Sequence, residues 1–455
     1  MKKLEKRALL CVLLSIVLMV GMGYFVFTFV TEGNEWAAFY TNRAVNSNGH
    51  LARGTLKDVN GTTLLKNRHG NMIFSDDYET RCALVHLTGD DKNNIATGAN
   101  NVMADKLVGY NILNGTYTFG GGGRIVRLTV DAEVCKAAYE ALYGHSGTVG
   151  VYNYRTGEII CAVSTPAYDP ADPPDLSSDD TSGTYINRLF AWTTPPGSTF
   201  KVATTAAALE NKSDARSWHY DCSGVQEYGP DKVTDLEAHG SVNLKEALAV
   251  SCNCGFGELT LDLGADVMED AVEKYGLTKV YDIDGIKTKA GTFEFPENAD
   301  VNLAWAGVGQ HNDMINPASM MVFMGGIANG GEAVSPKIVK SVEFANGSSA
   351  DLLSAPGSEQ IMESETALRL RKYMRNNVRK TYGDWMFPGL KVYAKSGTAE
   401  VDKTKEPNAL FAGFVRGNDM PYAFIVVVEN GGYGTETAGT VANTVLQKIK
   451  EVKGN

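Results

Sequence analysis

The feature that most constrains this chain is an uncharged apolar stretch near its start. Residues 8–30 contain no charged side chain, whereas residues 1–7 carry four Lys or Arg residues. A helix needs about 20 apolar residues to cross a bilayer. A signal peptide has a shorter apolar region, and here the run continues past Gly21 and Gly23, where a cleavage site would lie. We therefore predict a cytoplasmic tail over 1–7 and one uncleaved transmembrane helix over 8–30, with the rest of the chain outside the membrane.

Charge and composition exclude several function classes. The chain has 455 residues and a formal net charge of -11, which argues against nucleic acid as a partner. It contains no Gly-x-x-x-x-Gly-Lys-Ser/Thr loop for a nucleotide phosphate. Composition is otherwise that of a globular protein long enough for more than one domain. No cofactor is expected.

The seven cysteines leave two interpretations open. Cys11 lies in the apolar stretch, and the other six form no pair of Cys-x-x-Cys knuckles typical of zinc. No metal site is predicted. Outside the membrane a disulfide is allowed, and Cys222 with Cys252 or Cys254 is the favoured pairing. Free buried thiols fit the pattern equally well.

Residues 31–145 and 146–455 differ in character. The first range is polar and broken into short segments, including two short strands around an Asn60-Gly61 turn, and it predicts a small α+β domain. The second range begins with a strand hairpin over 147–164 and returns to strands only over 392–429. Strands at both ends of a helical middle predict an α/β architecture with an antiparallel sheet flanked by helices. One predicted helix begins at Ser198. The others span 243–251, 259–275, 317–329, 365–379 with Ser364 as N-cap, and 437–452.

The candidate nucleophile lies where a loop becomes a helix. Pro195, Pro196 and Gly197 block regular structure, and an alanine-rich run with good helix propensity follows. Residues three apart share a helix face, so Lys201 should stand beside the Ser198 hydroxyl as its base. The lysine must be neutral to act, and burial, the helix dipole and a second cation would each favour that form.

Two further motifs supply what this pair lacks. Ser251 and Asn253 follow a predicted helix and could project together into a cleft, where Ser251 relays a proton and Asn253 holds a substrate amide and positions Lys201. Lys395 is the candidate second cation. Ser396, Gly397 and Thr398 follow it on a predicted strand. The hydroxyls of Ser396 and Thr398 can bind a carboxylate, and Gly397 lets a substrate lie close to the strand. The backbone N–H groups of Ser198 and Thr398 are the predicted oxyanion hole.

Singly these motifs are common, but together and in this order they match the set known for penicillin-binding proteins and class A β-lactamases. From about Arg53 to the C-terminus the chain resembles the class B penicillin-binding proteins, which are membrane-anchored D,D-transpeptidases. The resemblance implies their serine transpeptidase fold on a small pedestal. Further segments that carry it are Arg53-Gly54-Thr55 with Asp58 and Asn60-Gly61, residues 156–159 and 164–170, Asn187-Arg188, residues 307–310 with Pro317, and residues 328–331 with Pro336.

The chain departs from the family pattern at four positions. Cys252 is the middle residue of the second motif, Ser396 replaces the usual Thr, Val59 stands where the pedestal signature has Arg, and His311 follows Gln310 where Gly is commoner. Since Ser396 keeps a hydroxyl, we expect activity to be retained with altered β-lactam sensitivity. The pedestal is as short as in the family's smaller members.

The resemblance implies a reaction, its substrates and a partner. Ser198 would attack the penultimate D-Ala carbonyl of a peptidoglycan stem peptide ending in D-Ala-D-Ala, and an amine of a neighbouring peptide would resolve the acyl-enzyme. β-Lactams would acylate the same serine. A polytopic membrane glycosyltransferase of the shape or division type is the expected partner, at a bacterial cell membrane. Alternatives with the same residues are a D,D-carboxypeptidase, a β-lactamase and a membrane β-lactam sensor.

A Ser-His-Asp hydrolase has no support in the pattern. Only His219, His239 and His311 follow Ser198, and no Gly-x-Ser-x-Gly elbow occurs. His239 is interpreted as a structural loop residue. Glu294 and Asn298 match the Glu-x-x-x-Asn spacing of class A β-lactamases, which we attribute to chance because the predicted anchor and pedestal favour a synthetic enzyme.

Overall fold

The computed structural model describes residues 2–37, 53–68, 71–108, 110–111, 116–117, 123–177, 179–344, 346–350, 355–401, 404–417 and 420–454. Its first element is helix α1 (Lys2–Ala37), and the segment Lys6–Thr31 is long and apolar enough to cross a membrane. The apolar side chains of this segment are exposed, as a lipid-facing helix requires. The predicted long apolar helix is confirmed.

A small α+β region follows α1. The Asn60-Gly61 turn joins its first two strands, as predicted. The Asp58 carboxylate orders this turn, because one of its oxygens accepts the N–H groups of Asn60 and Thr62 at 3.0 and 2.7 Å. The elements are β1 (Arg53–Lys57), β2 (Thr63–Arg68), β3 (Asn71–Phe74), α2 (Tyr78–Ala83), α3 (Val85–Thr88), α4 (Ala99–Val102), α5 (Ala104–Val108), β4 (Tyr110–Asn111), β5 (Thr116–Tyr117), β6 (Ile125–Leu128) and α6 (Ala132–Ala141).

The rest of the chain forms a larger region with helices in its middle. Its elements are β7 (Gly147–Asn153), β8 (Ile159–Thr165), α7 (Lys201–Asn211), β9 (His219–Cys222), β10 (Val225–Tyr228), β11 (Asp231–Thr234), β12 (Gly240–Asn243), α8 (Leu244–Val250), α9 (Asn253–Leu263), α10 (Ala265–Lys274), β13 (Asp282–Ile283), β14 (Ile286–Lys287), α11 (Asp300–Val308), α12 (Pro317–Ala328), β15 (Glu332–Val334), β16 (Val339–Glu343), β17 (Ser358–Gln360), α13 (Ser364–Asn377), β18 (Val392–Ala399), β19 (Asn408–Val415), β20 (Tyr422–Val428) and α14 (Ala438–Gly454).

The main sheet has five antiparallel strands in the order β18-β19-β20-β7-β8. Helix α12 packs on β7, β19 and β20, and helices α6 and α14 also pack on the sheet. Because helices cover it, β8, β19 and β20 are buried at every position, which explains their continuous apolar sequences. This is the predicted architecture of an antiparallel sheet flanked by helices.

A second five-stranded sheet has the order β16-β6-β1-β2-β3. Strand β16 comes from the larger region and pairs with β6, so the two regions share one sheet. The side chains of Arg127 and Glu343 form an ion pair with an N–O distance of 3.2 Å across this pairing. The domain boundary near residue 146 stays a prediction. Strand β16, from one side of that boundary, pairs with β6 from the other side.

Local chemistry explains where several helices begin and end. Helix α8 starts with a capping box in which Asn243 and Glu246 satisfy each other's backbone N–H groups. The helix predicted over 259–275 is interrupted at Gly264, whose φ of 83° ends α9 before α10 begins. The predicted Ser364 cap is displaced by one residue, since Glu363 is the N-cap of α13. A π-helical turn over 378–382 follows α13.

The packing of α9 against α11 predicts a stability effect. A Cβ atom added to Gly307 would lie 1.7 Å from the Thr260 hydroxyl oxygen, so Gly307→Ala should overpack this contact and destabilise the fold by about 1–3 kcal/mol. Gly417→Ala is the control, because its nearest neighbour, Met420 Cβ, is 3.9 Å away. Melting temperatures in detergent should fall for Gly307→Ala only. Equal melting temperatures for both variants would contradict the tight packing.

Candidate active site

Ser198 lies in a short 3₁₀ turn over Gly197–Thr199, directly before α7. The Gly197 N–H donates to the carbonyl oxygen of Gly309 at 2.8 Å. Gly197 has a φ of 51°, and a Cβ atom there would lie 2.9 Å from the Thr398 carbonyl oxygen. The nucleophile turn therefore packs between the end of α11 and strand β18. Position 197 requires a glycine because a side chain there would collide with β18. Ser198 itself is half-buried.

Lys201 is fully buried at the first position of α7, and its Nζ has four oxygen neighbours. Two are carbonyl-type acceptors at 2.6 Å, the Ser251 backbone oxygen and Asn253 Oδ1. The other two are the hydroxyl oxygens of Ser198 at 3.1 Å and Ser251 at 3.2 Å. A neutral amine has two N–H bonds and one lone pair. If both N–H bonds go to the carbonyl-type acceptors, the lone pair is left for a hydroxyl proton.

The orientation of Asn253 supports this arrangement. Its Nδ2 donates to the Thr234 carbonyl oxygen at 2.9 Å, which directs Oδ1 towards Lys201. The amide assignment follows from this network, because a flipped amide would place an N–H group against an amine donor. Asn253 thus fixes where the two N–H bonds of Lys201 point.

Electrostatics favour a neutral Lys201. Burial lowers the pKa of Lys201 to about 8, although the Asp235 carboxylate raises it. Lys395 is also buried, and burial and then the charge of Lys201 hold the pKa of Lys395 well below its usual range. Both amines reach the Ser251 hydroxyl, so the doubly charged state is disfavoured. Burial is the main cause of the lowered pKa at both lysines, and at Lys395 the charge of Lys201 adds to it.

Ser251 connects the two lysines. It follows α8 in the left-handed conformation with a φ of 61°, which is uncommon for a non-glycine residue. Its hydroxyl oxygen lies 3.2 Å from the Nζ of Lys201 and 3.0 Å from the Nζ of Lys395. The structure thus places Ser251 and Asn253 beside Lys201, as the sequence predicted.

The third motif lies on β18, an edge strand of the main sheet. Gly397 faces the nucleophile turn, and a Cβ atom there would lie 3.0 Å from Thr199 Cγ2 and 3.1 Å from the Pro196 oxygen. Ser396 and Thr398 alternate with Gly397 and are half-buried. These contacts bring the eight predicted site residues together around the nucleophile turn, while their catalytic roles, including the assignment of the Ser198 and Thr398 N–H groups to an oxyanion hole, stay predictions.

Three contributors were missed by sequence reasoning. The Tyr382 hydroxyl oxygen accepts the Ser396 N–H at 2.8 Å and lies 3.0 Å from the Ser396 hydroxyl oxygen. Burial raises the pKa of Tyr382, so its hydroxyl stays protonated. Asp235 accepts the Asn253 N–H at 2.5 Å. The Gly309 carbonyl holds the nucleophile turn. No local motif signals Tyr382 or Asp235, because both act through contacts distant in sequence.

Three further predictions concern Glu294, the cysteines and His239. Glu294 is exposed and accepts a hydrogen bond from Asn312 at 2.6 Å, and the interpretation of its Glu-x-x-x-Asn match as chance stays a prediction. Cys222, Cys252 and Cys254 are buried free thiols, not a disulfide. His239 lies beside Cys222 and Asp235, so it belongs to a side-chain cluster as well as to a loop.

This geometry has clear similarities among known proteins. Residues 147–451 match the penicillin binding protein transpeptidase domain. The peptidoglycan D,D-transpeptidase PbpA of Mycolicibacterium smegmatis is 29% identical over 337 residues, which cover 68% of each chain. Stage V sporulation protein D of Bacillus subtilis is 29% identical over 354 residues, covering 73% of this chain and 54% of that protein.

Solved structures agree with the fold. Penicillin-binding protein A from M. tuberculosis, as a ceftriaxone acyl-enzyme complex, aligns with a TM-score of 0.77 at 21% identity, covering 88% of this chain and 98% of that one. The D,D-transpeptidase domain of a peptidoglycan glycosyltransferase from Eggerthella lenta aligns with a TM-score of 0.76 at 26% identity, covering 89% and 99%. The domain match spans more than half of the sequence, and the chain belongs to the penicillin-binding protein transpeptidase family, as a class B member.

Proposed function

We propose that the chain is a peptidoglycan D,D-transpeptidase that works through a Ser198 acyl-enzyme. The observation that carries this proposal is the set of contacts around Lys201, whose Nζ has two carbonyl-type acceptors at 2.6 Å and the Ser198 hydroxyl oxygen at 3.1 Å. An amine held in this way can take a proton from the hydroxyl. The relatives named peptidoglycan D,D-transpeptidase support the substrate class.

Acylation uses the three motifs in sequence. Ser198 Oγ attacks the penultimate D-Ala carbonyl of a stem peptide ending in D-Ala-D-Ala, and its proton passes to Lys201. The oxyanion of the tetrahedral intermediate is stabilised by the backbone N–H groups of Ser198 and Thr398. Ser251 lies within reach of both lysines and relays the proton to the departing D-Ala nitrogen as the C–N bond breaks. Lys395, which also contacts the Ser251 hydroxyl, favours loss of the proton from Lys201.

Substrate binding uses the edge of the main sheet. Among the described residues, strand β18 pairs with β19 alone, so its other edge can add an extended stem peptide as a further strand. Gly397 allows close approach, and the hydroxyls of Ser396 and Thr398 bind the terminal carboxylate. A β-lactam occupies the same position and leaves a stable acyl group on Ser198. Deacylation by the amine of a second stem peptide forms the crosslink and returns a proton through Lys201.

The first helix supports an extracytoplasmic location for this chemistry. Its basic residues 1–7 favour a cytoplasmic N-terminus, which puts residues 31–455 on the extracytoplasmic side as a single-pass protein of a bacterial cell membrane. Stem peptides are found there. The anchor and the pedestal over 31–145 would then bind a polytopic glycosyltransferase of the shape or division type, which supplies the glycan strands.

The nucleophile is tested by its covalent adduct. The chain in detergent should gain the mass of one penicillin on treatment with the drug, and Ser198→Ala should abolish this gain because it removes the attacking hydroxyl. Ser396→Thr, which keeps a hydroxyl, serves as the matched control and should still be acylated. Intact-protein mass spectrometry measures both. An undiminished adduct in Ser198→Ala would refute the assignment.

Lys201 predicts a pH profile. The neutral amine is the base, so the rate of acylation should rise with pH and level off above about 8, the pKa to which burial lowers Lys201. Below that value the rate should fall about tenfold per pH unit, as the neutral fraction does. Lys201→Arg keeps the charge but cannot lose a proton, so acylation should fall by at least about 100-fold. Stopped-flow measurements with a fluorescent penicillin between pH 6 and 9.5 report both effects, and a flat profile in the parent would contradict the role.

Product analysis separates the related reactions. A transpeptidase joins two stem peptides, a D,D-carboxypeptidase releases D-Ala to water, and a β-lactamase turns over a chromogenic cephalosporin. We expect crosslinked product with lipid-linked peptidoglycan precursor and a glycosyltransferase present, and only slow cephalosporin turnover. Mass spectrometry of muropeptides identifies the crosslink. Rapid cephalosporin turnover would instead support a β-lactamase, and acylation without either product would support a sensor.

A further inference from the structure

A π-helical turn connects the second motif to the third. This turn, Val378–Tyr382, follows α13, and π turns are rare elements that often lie at functional sites. The Thr381 hydroxyl donates to the carbonyl oxygen of Ala249, near the end of α8, at 2.9 Å. The next residue, Tyr382, contacts Ser396 on β18. The turn therefore ties the helix that precedes the second motif to the strand that carries the third.

Side chains from α13 and this turn also cover part of the β18 edge. The Arg375 guanidinium donates to the Val392 carbonyl oxygen at 3.4 Å, and the Asn377 amide donates to the carbonyl oxygen two residues further along, at 3.2 Å. Residues two apart on a strand direct their backbone groups to the same edge. The next residue in this alternation is Ser396, whose N–H is also occupied. Among the described residues, the edge left for a stem peptide begins after Ser396, which places one end of a bound peptide beside the Ser396 hydroxyl.

The Tyr382 hydroxyl makes two contacts with the same residue. Its oxygen accepts the Ser396 N–H at 2.8 Å and lies 3.0 Å from the Ser396 hydroxyl oxygen. Tyr382 is buried, and its ring packs edge-on against Phe411 with the ring centroids 5.4 Å apart. Burial raises the pKa of the Tyr382 hydroxyl. The hydroxyl is therefore protonated, held in place by its ring, and left with one proton to donate.

The direction of the bond between the two hydroxyl groups follows from what Ser396 binds in the proposed reaction. A carboxylate offers hydrogen-bond acceptors only. The Ser396 proton then points to the substrate carboxylate, and the Tyr382 proton is the one shared between the two hydroxyl oxygens. The resulting chain of hydrogen bonds runs from the Ser396 N–H to Tyr382, back to the Ser396 hydroxyl, and on to the carboxylate.

We propose that Tyr382 is a positioning residue that directs the Ser396 hydroxyl to the terminal carboxylate of the stem peptide. This role rests on the proposed transpeptidase reaction and adds a residue outside its three motifs. It also explains why a serine suffices where the family usually has threonine. The branched Cβ of threonine restricts χ1, whereas a serine hydroxyl has more rotamers open to it and needs a second contact to fix its direction.

Penicillin G and its methyl ester test this role, because the ester lacks the carboxylate. Tyr382→Phe should lower the second-order rate constant of acylation by penicillin G by about tenfold, the scale of a hydrogen bond to a charged group, and leave that of the ester unchanged. Tyr393→Phe is the matched control, since Tyr393 lies on the same strand and stacks on Phe414. Stopped-flow measurements on the chain in detergent give the ratio of the two rate constants. A parent-like ratio in Tyr382→Phe, or an equal loss with both ligands, would overturn the proposal.

Substitutions at Ser396 provide a second readout. In the Tyr382→Phe background, Ser396→Thr should restore most of the preference for the free acid, because its branched side chain restricts the hydroxyl without help. Ser396→Ala should lose the preference, and Tyr382→Phe should then have no further effect on it. Additive losses in that double variant, or no recovery with threonine, would show that Tyr382 supports only the fold.

Reversible binding separates this role from the covalent reaction. Ser198→Ala removes the attacking hydroxyl, so ligand-observed nuclear magnetic resonance can measure the dissociation constants of both ligands without acylation. Adding Tyr382→Phe should weaken binding of penicillin G by about tenfold and leave binding of the ester unchanged. Failure of the parent to be acylated would count against the proposed reaction, whereas equal affinities with and without the Tyr382 hydroxyl would refute its role in orienting Ser396.

Discussion

The site depends on the burial of a lysine that must lose its proton to act. Lys201 has no exposed surface, and four oxygen atoms from three other residues surround its Nζ. Removing a charged amine from water is costly unless it is paired, and no carboxylate oxygen lies among these four. Burial therefore lowers the pKa of Lys201 to about 8, and the hydrogen-bond acceptors around the neutral amine direct its lone pair to the hydroxyls of Ser198 and Ser251. Burial thus creates both the base and its direction.

Three segments must meet accurately for this arrangement to form. The nucleophile turn is held by the Gly309 carbonyl, the second motif by the Asp235 carboxylate, and β18 by Tyr382 and by pairing with β19. Each of these supports comes from an element outside the three motifs. The glycines at 197 and 397 remove the Cβ atoms that would separate the turn from the strand.

Sequence reasoning predicted the elements better than the contacts between them. Periodicity predicted the strands of the main sheet, and the motif spacing predicted that Ser198, Lys201, Ser251, Asn253 and Lys395 would converge. The short hairpins β9–β12 were not predicted, because alternation over four residues is too brief to stand out. Tyr382 was missed as it lies on a π-helical turn, and Gly264 was missed as a helix break since one glycine is often tolerated within a helix.

The hairpins explain the most unusual residue of the second motif. Ser251 and Asn253 face Lys201, whereas the intervening Cys252 points to the opposite side, where it caps α9 and meets Asp235. A middle residue that faces away from the cleft is free to take on a structural task. No sequence motif indicates the cluster of Cys222, Asp235, His239 and Cys252, because its members come from a strand end, one loop and the residue before a helix, which only the folded chain brings together. Cys252 and His239 both lie against Asp235, whose carboxylate accepts the Asn253 N–H, so the departure at Cys252 belongs to the packing that supports the second motif.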